Sequence, residues 1–220
     1  MTTDAIRLAI VGSARGGGAA QVIDACRGTN HRPTAVFDND AALHGTSVLG
    51  VPVVAESSLE ALRAHRPLFD ALVIAIGGNL GERERLFRAF DDAGFELATV
   101  VDPSAQLRTG VSLGRGNVIL GGVYLGPEVT LGDNCYVIGP TVMHHHTKIG
   151  SHCYFSASST LAGRVTVGER VRFEMCSGAK ADVRIGDDCV VGMNCVVRDH
   201  LEAGSIVEAP PYQVRTRAPA

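Results

Sequence analysis

The chain has 220 residues, 45% hydrophobic and 20% charged, enough for one large or two modest domains of an ordinary globular protein. Its formal net charge is −3 with Lys and Arg scattered, which excludes the clustered basic footprint of a nucleic-acid binder. No apolar run reaches membrane-spanning length, the first residues read straight into a strand without a leader, and six cysteines without a CxxC pair suit a reducing cytoplasm.

Residues 6–11, Ile-Arg-Leu-Ala-Ile-Val, predict a buried parallel strand, followed by a glycine-rich turn over 12–18 and an apolar helical run over 19–26. Such a turn either cradles phosphate on backbone N–H groups at a helix N-terminus or only packs helix on strand. Gly12, Gly16, Gly17 and Gly18 do not fit the GxGxxG spacing cleanly. A second strand over 34–37 ends in Asp38-Asn39-Asp40, where a carboxylate either meets a ribose or base edge or caps the loop. A helix over 57–65 follows, with Ser57 or Ser58 as N-cap, then a strand over 71–76 closed by Gly77-Gly78-Asn79 and a charged helix over 82–93 stopped by Gly94. Alternating strands and helices predict a small doubly wound α/β domain over 1–98, with its ligand at the C-terminal ends of the strands.

From 101 to 203 every sixth residue is apolar with no insertion, giving seventeen positions from Val101 through Leu125, Met143, Ile149, Phe155 and Leu161 to Val197. Gly follows seven of them, and the fourth residue on is usually small, as at Cys135, Thr141, Cys153 and Ser159. One large inward side chain, a tight bend and one small inward side chain per step predict a coil with flat sides and sharp corners, eighteen residues to a triangular turn. Residues eighteen apart then stack at about 4.8 Å, and each buried aliphatic contributes roughly 1.5–3 kcal/mol, largely offset by ordering the backbone. The coils are expected over 99–208, with a short tail over 209–220.

Met143 is followed by His144-His145-His146 in the middle of these coils. Side chains alternate along extended chain. Either His145 therefore points opposite to the other two or a corner splays them, and one is expected at the outer surface near an edge. Neutral imidazole is the usual proton acceptor near pH 7; a solvated polar corner is the alternative.

The glycine-rich opening at Gly12, the run Val36-Phe37-Asp38-Asn39-Asp40, Ile74-Ala75-Ile76-Gly77-Gly78-Asn79 with Arg83, and Asp102-Pro103-Ser104-Ala105 join the hexads in one pattern. His145 five residues before Gly150, and Leu161-Ala162-Gly163-Arg164-Val165-Thr166-Val167-Gly168, complete it. Across nearly the whole chain this resembles the hexapeptide-repeat sugar O- and N-acyltransferases, the family of the sialic acid O-acetyltransferases and the bacillosamine-type UDP-amino-sugar N-acetyltransferases.

The resemblance implies an N-terminal Rossmann-like α/β domain followed by a left-handed parallel β-helix. It implies a homotrimer with acetyl-CoA as co-substrate, no metal, and a nucleotide-linked amino sugar of the 4-amino-4,6-dideoxy type. The sugar nucleotide would be held through Gly12, Ser13, Gly16, Asp38, Asn39 and Asn79. His145 would be the general base, the backbone N–H near Gly163 would stabilise the oxyanion, and acetyl-CoA would lie against Ala162 and Gly163 between neighbouring β-helices. Tyr154, where the family often has a second histidine, either bonds the thioester carbonyl or packs; Arg215 either meets CoA phosphates or belongs to a solvated tail. The family's acidic neighbour of the base is replaced here by His144 and His146, and the eighteen-residue stack puts Glu128 one coil from His146 as a substitute. Three other readings stay open: a sugar O-acetyltransferase of the sialic acid type using the same base on a hydroxyl, a zinc hydratase using the histidines with His152, and a non-catalytic sensor of sugar nucleotides.

Overall fold

The computed structural model describes residues 5–12, 15 and 17–210. Strand β1 (Ile6–Val11) is followed by α1 (Gly18–Ala25), β2 (His31–Phe37), β3 (Ser47–Val48), β4 (Val51–Ala55), α2 (Leu59–Ala64), β5 (Ala71–Ile74) and α3 (Leu80–Asp92). The five strands form one sheet in the order β3-β4-β2-β1-β5, parallel except for β3. Alternation along the strands fills both faces, as continuous apolar runs in a doubly covered sheet require. Leu8, Ile10, Val36 and Val73 pack toward α1, while Ala9, Val11, Phe37 and Ile74 pack toward Leu62 of α2 and Leu86, Phe87 and Phe90 of α3.

Helix boundaries follow their caps. Ser58, rather than Ser57, accepts from the Ala61 N–H and starts α2 two residues later than the apolar pattern suggests. Asn79 accepts from the Glu82 N–H and starts α3 two residues earlier.

From Val100 onward the chain winds into three parallel sheets of two-residue strands, with seven, six and five members. Partners are eighteen residues apart: Tyr136 beside Tyr154 beside Arg172, and Leu125 beside Met143 beside Leu161. This is a three-sided parallel β-helix whose coils fit the left-handed hexapeptide form. The inward aliphatics make one column, fully buried from Ile119 to Val197 and opening at the first coils, where Leu107 is 38% exposed. Cys135, Cys153, Cys189 and Cys195 fill the small inward positions as free thiols, whereas Cys176 is exposed at a corner. Left-handed residues recur eighteen apart in three corner columns, one of them running Gly110, Glu128, His146, Arg164 and Asp182 and another interrupted at Pro140.

The α/β unit covers one side of this prism. Val118, Leu120 and Tyr136 of the seven-stranded sheet join the core formed with α1. At one edge of that sheet, Arg83 of α3 is fully buried. Its Nε donates to the Asn134 carbonyl (2.9 Å), Nη1 to those of Ile74 and Ile76 (3.1 Å for Ile76), and Nη2 to those of Gly116 (3.0 Å) and Cys135 (3.3 Å). All five N–H groups are thus used. Burial lowers this guanidinium to about 10, still protonated at neutral pH.

Candidate active site

The three histidines form the corner between strand Val142–Met143 of the six-stranded sheet and strand Lys148–Ile149 of the five-stranded sheet. All three are exposed. His146 has φ +58°, the left-handed conformation of its column. That value breaks the alternation expected of extended chain and turns the His146 ring beside that of His145. The rings meet edge to face at 5.2 Å, with Nδ1 of one 3.0 Å from Nδ1 of the other.

The backbone beneath them is pinned on both sides. The His146 N–H donates to Pro127 on the preceding coil and the His145 carbonyl accepts from Arg164 on the following one, both at 2.9 Å. His145 lies directly against Gly163, where an added Cβ would stand 2.6 Å from Nε2. Among the described residues the Gly163 N–H has no hydrogen-bond partner. The ring nitrogen thus lies against a residue whose backbone donor is unpaired among the described residues, while the buried Thr147 hydroxyl ties the corner to the Ala162 carbonyl at 3.2 Å.

The Glu128 carboxylate does not turn to His146. It lies over Gly110 on the preceding coil, where a Cβ would come within 2.3 Å of Oε1. On the other side of the pair, Arg164 holds Asp182 through Nε (2.6 Å) and Nη2 (2.8 Å). That bidentate pair keeps the Asp182 carboxyl below its ordinary value, with His145 adding to the effect.

A second feature opens at the C-terminal ends of β1 and β5. From β1 the chain crosses to β2 on one side, and β5 lies on the other, so this is the point where strand order reverses and ligands of open α/β sheets bind. A crevice of about 300 Å³ is lined there by Gly18 and Gln21 of α1, by Gly77 and Gly78 after β5, and by Tyr136 and Tyr154 of the β-helix. The N-cap of α1 is Gly17 at φ +84°, with no side chain to satisfy the first N–H groups. The buried Tyr136 hydroxyl, pushed up to about 12 by desolvation, donates to Gln21 Oε1 at 3.3 Å. Arg172 lies 5.6 Å over the Tyr154 ring and donates to the Gly78 carbonyl, adding a cation at the rim. A larger cleft of about 470 Å³, lined by Ile6, His31, Asp70, Leu97 and Arg115, lies at the opposite ends of the strands, away from both features.

Several sequence candidates have structural employment. Asn39 Oδ1 accepts from the N–H and hydroxyl of Ser57, both at 3.0 Å. Asp38 Oδ1 accepts from the Asp40 N–H, and Asp40 pairs with Arg15 at 2.8 Å. Asn79 caps α3. Gly12, at φ +80°, donates to the Phe37 carbonyl and packs on Ile76. Ser13, Gly16 and Arg215 lie outside the described residues.

The structure also separates residues that the sequence reading joins. Tyr154 stands on the sheet covered by the α/β unit, whereas His145 stands on the corner shared by the other two sheets, opposite it. Within one chain Tyr154 therefore lines the crevice at β1 and β5 and does not reach His145. Tyr136, Arg172 and Gln21 escape a reading of motifs; stepping eighteen residues either way from Tyr154 finds the first two. Among the described residues no group of three or more His, Cys, Asp or Glu is arranged to hold a metal. Among the described residues no helix is long and apolar enough to cross a membrane.

Comparison with known proteins agrees with this architecture. A model of the hexapeptide repeat of succinyl-transferase matches residues 182–209. No curated protein sequence matches the chain significantly. Among solved structures, PerB from Caulobacter crescentus in complex with CoA and GDP-perosamine is 33% identical, covering 90% of this chain and 92% of that one at a TM-score of 0.81. A histidine-to-alanine mutant of GDP-perosamine N-acetyl transferase from the same organism, with the same two ligands, is 31% identical over 95% and 97% at 0.83. The acetyltransferase domain of PglB from Neisseria gonorrhoeae, in complex with acetyl coenzyme A, shares the fold at 22% identity, 91% and 94% coverage and a TM-score of 0.80. With identity above 30% across at least nine-tenths of both chains, and with eighteen-residue coils bearing a histidine corner, the chain belongs to the hexapeptide-repeat sugar O- and N-acyltransferases and is an acyltransferase.

Proposed function

We propose that the protein transfers an acetyl group from acetyl-CoA to the amine of a nucleotide-linked amino sugar of the 4-amino-4,6-dideoxy type, with His145 as general base. The observation that carries this reading is the placement of His145 Nε2 against Gly163, whose backbone N–H has no partner among the described residues. The amine lone pair attacks the thioester carbonyl carbon, and the new C–N bond forms as Nε2 takes the amine proton. Charge moves to the carbonyl oxygen, where the Gly163 N–H meets it. Collapse re-forms the carbonyl, breaks the C–S bond, and the departing thiolate takes the proton back from His145. No acyl-enzyme is formed.

The α/β unit over 1–98 is read as the Rossmann-like holder of the sugar nucleotide, at the crevice between β1 and β5. The similarity to enzymes crystallised with GDP-perosamine, a nucleotide-linked amino sugar, favours this substrate class. Because crevice and base face opposite sides of the prism, the sugar nucleotide held by one copy is handed to His145 of another. A homotrimer with acetyl-CoA between neighbouring β-helices over 99–208 supplies that arrangement. Six free cysteines, five of them buried, suit a reducing cytoplasm.

The test follows thiol release from acetyl-CoA against GDP-, UDP- and dTDP-linked 4-amino sugars, with His145→Ala beside the parent. Turnover on one acceptor that drops by at least about a hundredfold in the variant is the expected result. Equal turnover in the variant removes His145 from the role, and turnover only on hydroxyl acceptors replaces N-acetylation by O-acetylation.

A further inference from the structure

The ring of a histidine base needs a partner on Nδ1. A neutral imidazole carries one N–H and one lone pair, and only the tautomer protonated on Nδ1 leaves Nε2 able to take a proton. Carboxylates are the usual partners, and among the described residues none reaches the Nδ1 of His145. On the preceding coil Pro127 supplies only a carbonyl, to the His146 N–H, and Glu128 has its carboxylate over Gly110. On the following coil Gly163 has no side chain and Arg164 is bound to Asp182, which Lys180 also approaches. On the same coil His144 is exposed and its ring makes no hydrogen bond among the described residues, and Lys148 stands on the adjoining strand. What does meet His145 Nδ1 is Nδ1 of His146, at 3.0 Å.

We propose that His146 is the positioning residue of the base: its Nδ1 accepts the Nδ1–H of His145, leaving the lone pair of His145 Nε2 toward Gly163. His146 then carries its own proton on Nε2, toward solvent. When His145 Nε2 takes the amine proton, the resulting cation is shared across the Nδ1···Nδ1 bridge instead of being neutralised by a carboxylate. The left-handed φ of +58° at His146 makes this contact, since an extended residue there would point its ring to the other face. The inference rests on the acyl-transfer reading of His145 and adds what orients that ring.

Two measurements test it. Nitrogen-15 NMR of the imidazoles at neutral pH, without substrate, should find His145 protonated on Nδ1 in the parent and shifted toward the Nε2–H tautomer in His146→Ala. A parent His145 protonated on Nε2 overturns the proposal. In turnover, His146→Ala should lose roughly 10- to 100-fold in kcat with little change in KM. His146→Glu should recover most of that loss, and its carboxylate should move the acid limb of the kcat/KM profile to higher pH, because it stabilises the imidazolium. Glutamate suits this corner, as Glu128 holds the same left-handed position one coil earlier (φ 60°). Parent-like kcat in His146→Ala, or no recovery in His146→Glu, overturns the proposal. The tautomer is read without acceptor, so it decides on His146 even where the parent turns over no sugar, the result that would sink the acyl-transfer reading itself.

Discussion

A methyl group at position 163 would stand 2.6 Å from His145 Nε2, closer than any carbon sits to a ring nitrogen without displacing it. The ring is exposed and its one hydrogen bond among the described residues is to the equally exposed His146, so Gly163→Ala should cost activity rather than stability. We expect kcat to fall by roughly 10- to 100-fold, the scale of a misplacement of about 1 Å, with the thermal midpoint unchanged in a melting experiment. A variant with parent-like kcat would show that the ring does not work from this position. At this scale the sequence is legible only in part. The triplet is visible as chemistry, but the pairing of His145 with His146 depends on a positive φ, which residue type does not announce. Glu128 misleads for a related reason: its position in the stack is right, and its rotamer takes the carboxylate to Gly110.

Arg83 sets the next scale, because one side chain of α3 gathers carbonyls from β5, Gly116 and the loop at Asn134 and Cys135. No carboxylate joins it; five carbonyl dipoles and the Tyr136 ring, 5.2 Å away, are the compensation for its buried charge. Arg83→Leu leaves those carbonyls without donors in a dry seam. Denaturant unfolding should show a loss of about 3–5 kcal/mol, the range for removing one member of a buried charged cluster. A loss below about 1 kcal/mol would mean that water replaces the guanidinium. The coils themselves are legible because each buries one large side chain at a fixed step, so periodicity and packing are one observation. Arg83 is legible only as a member of the family pattern, since nothing in its neighbours Glu82, Glu84 and Arg85 on a charged amphipathic helix announces that its guanidinium is buried.

For the whole molecule, the deciding fact is that the crevice and the histidine corner lie on opposite sides of the prism. Gln21→Trp should fill the crevice and His145→Ala should remove the proposed base, each leaving an inactive protein. Co-refolding the two in equal amounts should restore about a quarter of parental activity if a site takes its crevice from one copy and its base from another, because half of each contribution is intact at random. No recovery would place both halves of the site in one chain. The left-handed corner column carries a further meaning. Gly110, Glu128, His146, Arg164 and Asp182 occupy equivalent places on successive coils, share one backbone conformation and leave the inward aliphatics untouched. Each is a socket that holds a small, acidic or basic side chain at the same place on its coil. In this chain a reactive group at such a corner can therefore be exchanged by a single substitution that leaves the stacked core as it is.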